Sequence, residues 1–238
     1  MMGDIMAAFL GSLVLAAVHA LSPVLTRLPE RHQALLSSFS GGVGLAYVFL
    51  YLLFELAKFG APKIHALLPL GPEPLETLFI LILGALSIFH LLQSYVEKSP
   101  DPRDDYLGFA VLFLVYNLLA GTGVVEEARG GALNLGLYVV ALSLHLLFND
   151  TFLSHICPVA HRWPWRLGLA AMPVMGCAFA AGFALPEGIL YGLLAVVAGG
   201  TIINVLHHEL PRPSSLHPAS FVTGVVIYAG LIAALWRF

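Results

Sequence analysis

The sequence predicts an all-α polytopic membrane protein of eight transmembrane helices, and three observations carry that prediction. First, 59% of the 238 residues are hydrophobic, only 11% are charged, and the mean hydropathy is +0.88. A soluble domain carries about 25% charged residues because its surface faces water, so most of this surface is expected to face lipid. Second, a span takes about 20 apolar residues. The chain therefore accommodates about eight spans with short loops, as a single transmembrane domain over 1–238 with nothing left for a soluble domain. Third, the apolar stretches are continuous rather than alternating with period two, which excludes a β-barrel. The net charge of −3, with no basic run, argues against a nucleic-acid partner.

Pro, Gly and charge divide the chain in order. The first span, 5–25, ends before Arg27, Pro29 and Glu30. It resembles a signal peptide at Val18-His19-Ala20, but Asp4 rather than a basic residue precedes it and the apolar run is long. An uncleaved helix is therefore expected. The second span, 33–57, stops at Lys58, and the third, 74–97, opens after Gly71-Pro72-Glu73. The charged stretch EKSPDPRDD separates it from the fourth, 106–125. The fifth, 131–155, starts at the end of a Gly pair, and the sixth, 165–185, follows Arg162 and Pro164. The seventh, 188–209, follows Pro186 and Glu187, and the eighth, 217–236, follows Pro211, Arg212 and Pro213. The cysteines, Cys157 and Cys177, stand in different segments, as neither a disulfide framework nor a CxxC site.

Cytoplasmic loops are enriched in Lys and Arg. One set of loops holds seven such residues: Arg27, Arg31, Lys98, Arg103, Arg162, Arg166 and Arg212. The other set, with the termini, holds Lys58, Lys63, Arg129 and Arg237. Both termini are accordingly expected on the extracytoplasmic side, and small size with short loops points to a bacterial inner (plasma) membrane.

An ionisable side chain near the bilayer centre costs about 2.5–3.5 kcal/mol even on insertion scales. The residues that bear this cost here are His19, Glu55, His90, His145, Asp150, His207, His208 and Glu209, with Asn117, Asn149 and Asn204 beside them. His145 and Asn149 are four apart and share one helical face, with Asp150 next to them. Tyr116 and Asn117 lie near the middle of span 4, one turn before Gly121. Such convergence suits a metal or proton site and also plain interhelical hydrogen bonding. His19 and His90, standing alone, are read as hydrogen-bonded packing residues. His207, His208 and Glu209 fall close to a span end, where solvation is cheap. Ser40, Gly41, Gly42, Gly44, Gly199 and Gly200 are read as close helix contacts.

The order of these motifs resembles the ZIP family of divalent metal transporters. Tyr116-Asn117-Leu118-Leu119-Ala120-Gly121 is similar to that family's helix-4 motif, and His145-Leu146-Leu147-Phe148-Asn149-Asp150 to its helix-5 motif. Gly41-Gly42 followed by Tyr51-Leu52-Leu53-Phe54-Glu55 resembles its helix 2, and Gly199-Gly200 leading to Glu209 its helix 7. The resemblance implies a ZIP-like 3+2+3 arrangement with inverted repeats. It carries Asn117, His145 and Asp150 onto matching positions, while Tyr116, Ala120, Leu146 and Asn149 stand where the family has His or acids. A His-rich loop before helix 4 is missing.

The resemblance implies a divergent transporter of a divalent metal cation, zinc or similar, or of another small ion through helices 4 and 5. The metal is substrate; no cofactor and no catalysis are expected. His145, Asn149, Asp150, Asn117 and Tyr116 are the candidate metal site, expected to meet across the helix 4–helix 5 contact. Glu55 at the outer end of span 2 and Glu209 at the inner end of span 7 are candidate gates. His155, His161, His207 and His208, with Cys157 and His217, are a candidate cytoplasmic exit. Expected partners are membrane lipid and the metal ion, with a homodimer open. Two alternatives stand beside transport: a non-transporting ZIP-like partner or sensor, and an intramembrane hydrolase with His145, Asp150, His207 and His208 around one zinc.

Overall fold

The computed structural model describes residues 2–25, 27–98, 102–156, 163–183, 185–206 and 216–235, with the side chains of 2, 25, 96–97, 102–110, 149, 151–156 and 235 outside the description. Among the described residues the chain forms eight helical rods: α1 Met2–Leu25, α2 Glu30–Leu67, α3 Pro74–Glu97, α4 Pro102–Arg129, α5 Ala132–Ile156, α6 Trp163–Gly182, α7 Glu187–Asn204 and α8 Pro218–Leu235. Six of them are long and apolar enough to cross a membrane: α1 to α4, α6 and α7. Large side chains such as Met6, Leu83, Leu91 and Val226 point outward. That pattern fits solvation by hydrocarbon, where every backbone polar group must be met within a helix. The protein is an all-α, lipid-embedded polytopic membrane protein.

Burial sorts the rods. In the apolar windows of α4, α2 and α7, 67%, 61% and 61% of residues are buried, against 28% in α3 and α6. The first three are therefore central and the last two lie toward lipid.

Close crossings follow from glycine. A Cβ at Gly42 of α2 would strike the Phe221 carbonyl of α8 and come within 3.0 Å of the Val225 nitrogen. Gly224 of α8 faces the Phe39 carbonyl in return. On the other flank a Cβ at Gly199 of α7 would stand 2.7 Å from the Ile82 carbonyl of α3 and 2.8 Å from the Leu86 nitrogen. Gly121 of α4 and Gly176 of α6 likewise meet the Pro173 and Leu118 carbonyls. With no apolar drive separating helix from lipid, contact without a side chain in the way is how membrane helices gain packing energy.

α2 and α7 also start alike. Each follows Leu-Pro-Glu, with Pro29 at φ −54°, ψ 141° and Pro186 at φ −55°, ψ 141°. Proline without an N–H and with φ fixed suits a helix entrance. Each passes its glycines and then meets π-helical geometry, over Tyr47–Leu52 in α2 and at Val205 and Leu206 just after α7. A second π stretch, Leu56–Gly60, leads into a last turn with Pro62 near its start.

Two differences from the expected spans matter. α2 runs to Leu67 rather than 57, and α4 runs to Arg129 rather than 125. Charge marks both expected ends, yet Lys58 lies over the Phe59 ring at 4.7 Å and Glu127 finds a partner inside the bundle. The helix therefore continues past each. The α4–α5 turn is made by Gly131, whose φ of 109° suits glycine.

Candidate functional site

Two polar clusters occupy the bundle. The first lies where α1, α4 and α5 meet. His19 is fully buried, its Nδ1 2.8 Å from Asp150 Oδ2 and its Nε2 2.9 Å from Asn117 Oδ1. Asn117 Nδ2 donates to the Phe113 carbonyl at 2.9 Å, so the amide oxygen is the atom turned to His19. An amide oxygen accepts only, so Nε2 must carry a hydrogen. One further proton is then needed between Nδ1 and Oδ2. It makes the pair either imidazolium with carboxylate or imidazole with carboxylic acid. The geometry thus sets a histidine against an acid inside a membrane bundle, at a distance that one proton bridges.

The local sequence builds this. Pro23 has no N–H to offer the His19 carbonyl one turn back. That carbonyl instead accepts from Ser22 Oγ at 3.2 Å and from Arg166 Nη2 at 2.8 Å, and the same Nη2 reaches the Ala20 carbonyl at 3.1 Å. The guanidinium on α6 therefore ties down the last turns of α1, where a cation also meets the helix dipole favourably.

Alongside lies His145, 2% exposed, its ring 5.6 Å from that of Tyr116. Tyr116 is 1% exposed and its hydroxyl donates to Thr201 Oγ1 at 2.6 Å, since Thr201 gives its own hydrogen to the Val197 carbonyl. Gln93 and Asn204 join α3 to α7 at 2.6 Å.

Of the sequence-derived site residues, Asn117 and Asp150 are both bonded to His19, and His145 and Tyr116 are neighbours across α4 and α5. His19, which the sequence leaves outside the candidate set, joins the two halves. The side chains of Asn149 and His155, together with Cys157, His161, His207, His208 and Glu209, lie outside the described residues. The expected exit cluster and inner gate are thus not described, apart from His217, whose N–H donates to Ser38 Oγ at 3.0 Å. Among the described residues no three His, Cys, Asp or Glu side chains assemble as a ready metal-ligand group.

The second cluster lies toward the other end of the bundle. Glu127, 3% exposed, accepts a hydrogen bond from Tyr51 at 2.5 Å through Oε2. Tyr47 stacks on Tyr51 at 5.9 Å and meets Tyr138 and Tyr228 edge-on at 6.3 Å each. Tyr138 and Tyr228 donate to the Ala120 and Leu137 carbonyls. Among the described residues Glu127 Oε1 and the Tyr47 hydroxyl have no hydrogen-bond partner. Above Glu127 opens a cavity of about 210 Å³ lined by Glu55, Glu126, Glu127, Glu187, Asn134 and Tyr191, with Arg129 and Gly130 completing the wall. Glu55, the expected outer gate, is thus one wall of a larger acidic chamber. A sequence signal for it existed: Tyr47, Tyr51 and Glu55 recur every four residues on one face of α2.

No protein-family model matches this chain, and no curated protein sequence matches it.

Proposed function

We propose that the chain is a transporter of a small cation, a divalent metal or a proton, with a path along α4 and α5 and the His19–Asp150–Asn117 crossing as its central exchange site. The observation that carries this reading is the 2.8 Å contact of His19 Nδ1 with Asp150 Oδ2, with Asn117 on the ring's other nitrogen, buried where three helices meet. An intramembrane acid–histidine pair costs stability, and its common use is to carry a proton or ion. An arriving cation would compete for Asp150 and the His19 ring and displace the proton. His145, Asn117 and Tyr116 supply neighbouring polar groups on the same two helices.

The reading extends to organisation similar to the ZIP family: eight spans in a 3+2+3 arrangement with inverted repeats. In support, the Leu-Pro-Glu starts, the glycine positions and the onset of π-helix recur in α2 and α7. The α2–α8 and α7–α3 crossings also use the same device, a glycine against a carbonyl and against the nitrogen four residues on. In this reading both termini lie outside, and the membrane is a bacterial inner membrane.

A second reading is favoured by one specific observation. Both His19 ring nitrogens are already occupied within the protein. A non-transporting partner or sensor would keep such a closed network for packing alone.

The test is flux. Purified protein in proteoliposomes, loaded with a metal-sensitive dye and a pH dye, should move Zn²⁺ or Mn²⁺ with an opposing proton signal. Liposomes that stay silent to every divalent cation and to protons would leave the non-transporting reading. Reporter fusions at Phe238 should be active outside only; cytoplasmic activity would overturn the orientation.

A further inference from the structure

We propose that the acidic chamber above Glu127 is a second cation site, selective for a hard, partly hydrated divalent ion such as Mg²⁺ or Ca²⁺ rather than for zinc. This inference is independent of what happens at His19, because it concerns binding at other residues.

Three observations carry it. Glu55, Glu126, Glu127 and Glu187 line one cavity with Asn134, Tyr191, Gly130 and a single basic residue, Arg129, and no His or Cys lines it. Oxygen donors alone suit hard cations, whereas zinc prefers nitrogen and sulfur. Secondly, Glu127 is buried at the chamber's inner wall with Oε1 lacking a partner among the described residues, although Oε2 is held by Tyr51. A buried oxygen acceptor left unmatched is costly, and a bound cation or its water would match it. Thirdly, the protein already places a cation at the rim. Lys63 Nζ lies 2.5 Å from Glu187 Oε2 and 4.7 Å above the Tyr191 ring. The ammonium marks where positive charge is favoured, against two residues of the cavity wall.

The size suits a hydrated ion. A cavity of about 210 Å³ is too roomy for a bare ion, and no three described acids converge as direct ligands. Mg²⁺ keeps several waters and takes one or two carboxylates directly. Glu127 would be the inner carboxylate, and Glu55, Glu126 and Glu187 would accept hydrogen bonds from the ion's water. Arg129, paired with Glu126 at 3.1 Å, limits the total negative charge.

Terbium(III), a hard oxygen-seeking ion whose emission is excited through nearby tyrosine, reads this site directly in the purified full-length chain. The expected result is saturable sensitised emission that Mg²⁺ and Ca²⁺ compete away. Glu127→Gln should weaken half-saturation about tenfold or more, whereas Lys63→Gln should tighten it. Asp150→Asn should leave it unchanged, which separates this site from the central one. Glu73→Gln with Glu76→Gln, on the surface, should leave it unchanged as well. Emission unaltered by Glu127→Gln, equal weakening by the Glu73/Glu76 variant, or weakening by Lys63→Gln would each overturn the proposal. If Glu127→Gln fails to fold, the Lys63 variant alone still decides by its sign.

Discussion

The two polar clusters solve the same problem in opposite ways. Around His19 the ring, the acid and the amide answer one another across three helices, and Arg166 and Ser22 take up the carbonyl that Pro23 frees, with only Arg166 Nε, outside that ring–acid–amide set, unmatched among the described residues. Around Glu127 the accounting is open, with one carboxylate oxygen and the Tyr47 hydroxyl unmatched among the described residues. A closed network must exchange an internal partner before it can accept an ion. An open one can accept an ion without breaking anything. In the proposed function the first cluster would serve proton-coupled exchange and the second simple capture.

Mutations at the two clusters should therefore differ in size and in sign. The largest effect is expected from His19→Ala, which leaves Asp150 buried without its partner and Asn117 Oδ1 unmet. Breaking a buried pair costs about 3–5 kcal/mol. Thermal unfolding in detergent should register that loss, and a change under 1 kcal/mol would mean that water or another group replaces the ring. Next is Tyr51→Phe, which removes the Tyr51–Glu127 hydrogen bond and should cost about 1–3 kcal/mol. Tyr47→Phe should go the other way. Deleting an unmatched buried hydroxyl should be neutral or stabilising by up to about 1 kcal/mol. A loss as large as that of Tyr51→Phe would mean that the Tyr47 hydroxyl is bonded after all, and the contrast between the clusters would shrink. The smallest effect belongs to Lys63→Met. The Lys63–Glu187 pair is more than a third exposed on both sides, and such pairs contribute about 0–1 kcal/mol.

The helices themselves were legible because the apolar runs are long and the breaks carry Pro, Gly and charge. The ends were less so. Glu126 and Glu127 read as solvent-facing charges after an apolar run, and nothing local says that Tyr51, 76 residues away, will meet Glu127. The central cluster was half legible. Asn117, His145 and Asp150 stand out as polar residues in apolar context, and spacing places His145 and Asn149 on one face. His19 has no ionisable neighbour at helical spacing, only Ser22 three residues on, so sequence periodicity gives its ring no partner. Its importance arises only from α1 packing against α4 and α5, a tertiary fact. The proline that prepares it was visible at position 23, but the meaning of a freed carbonyl depends on Arg166 arriving from another helix.

The central claim is that the His19–Asp150 pair carries cation exchange rather than packing alone. Asp150→Asn tests it most directly, because asparagine keeps the shape and a hydrogen bond to His19 but cannot carry the charge. Flux should be compared with wild type in proteoliposomes at matched amounts of folded protein. The account predicts that divalent-cation flux and its opposing proton signal fall together to near background. Flux preserved at the wild-type level, with the fold intact, would contradict it.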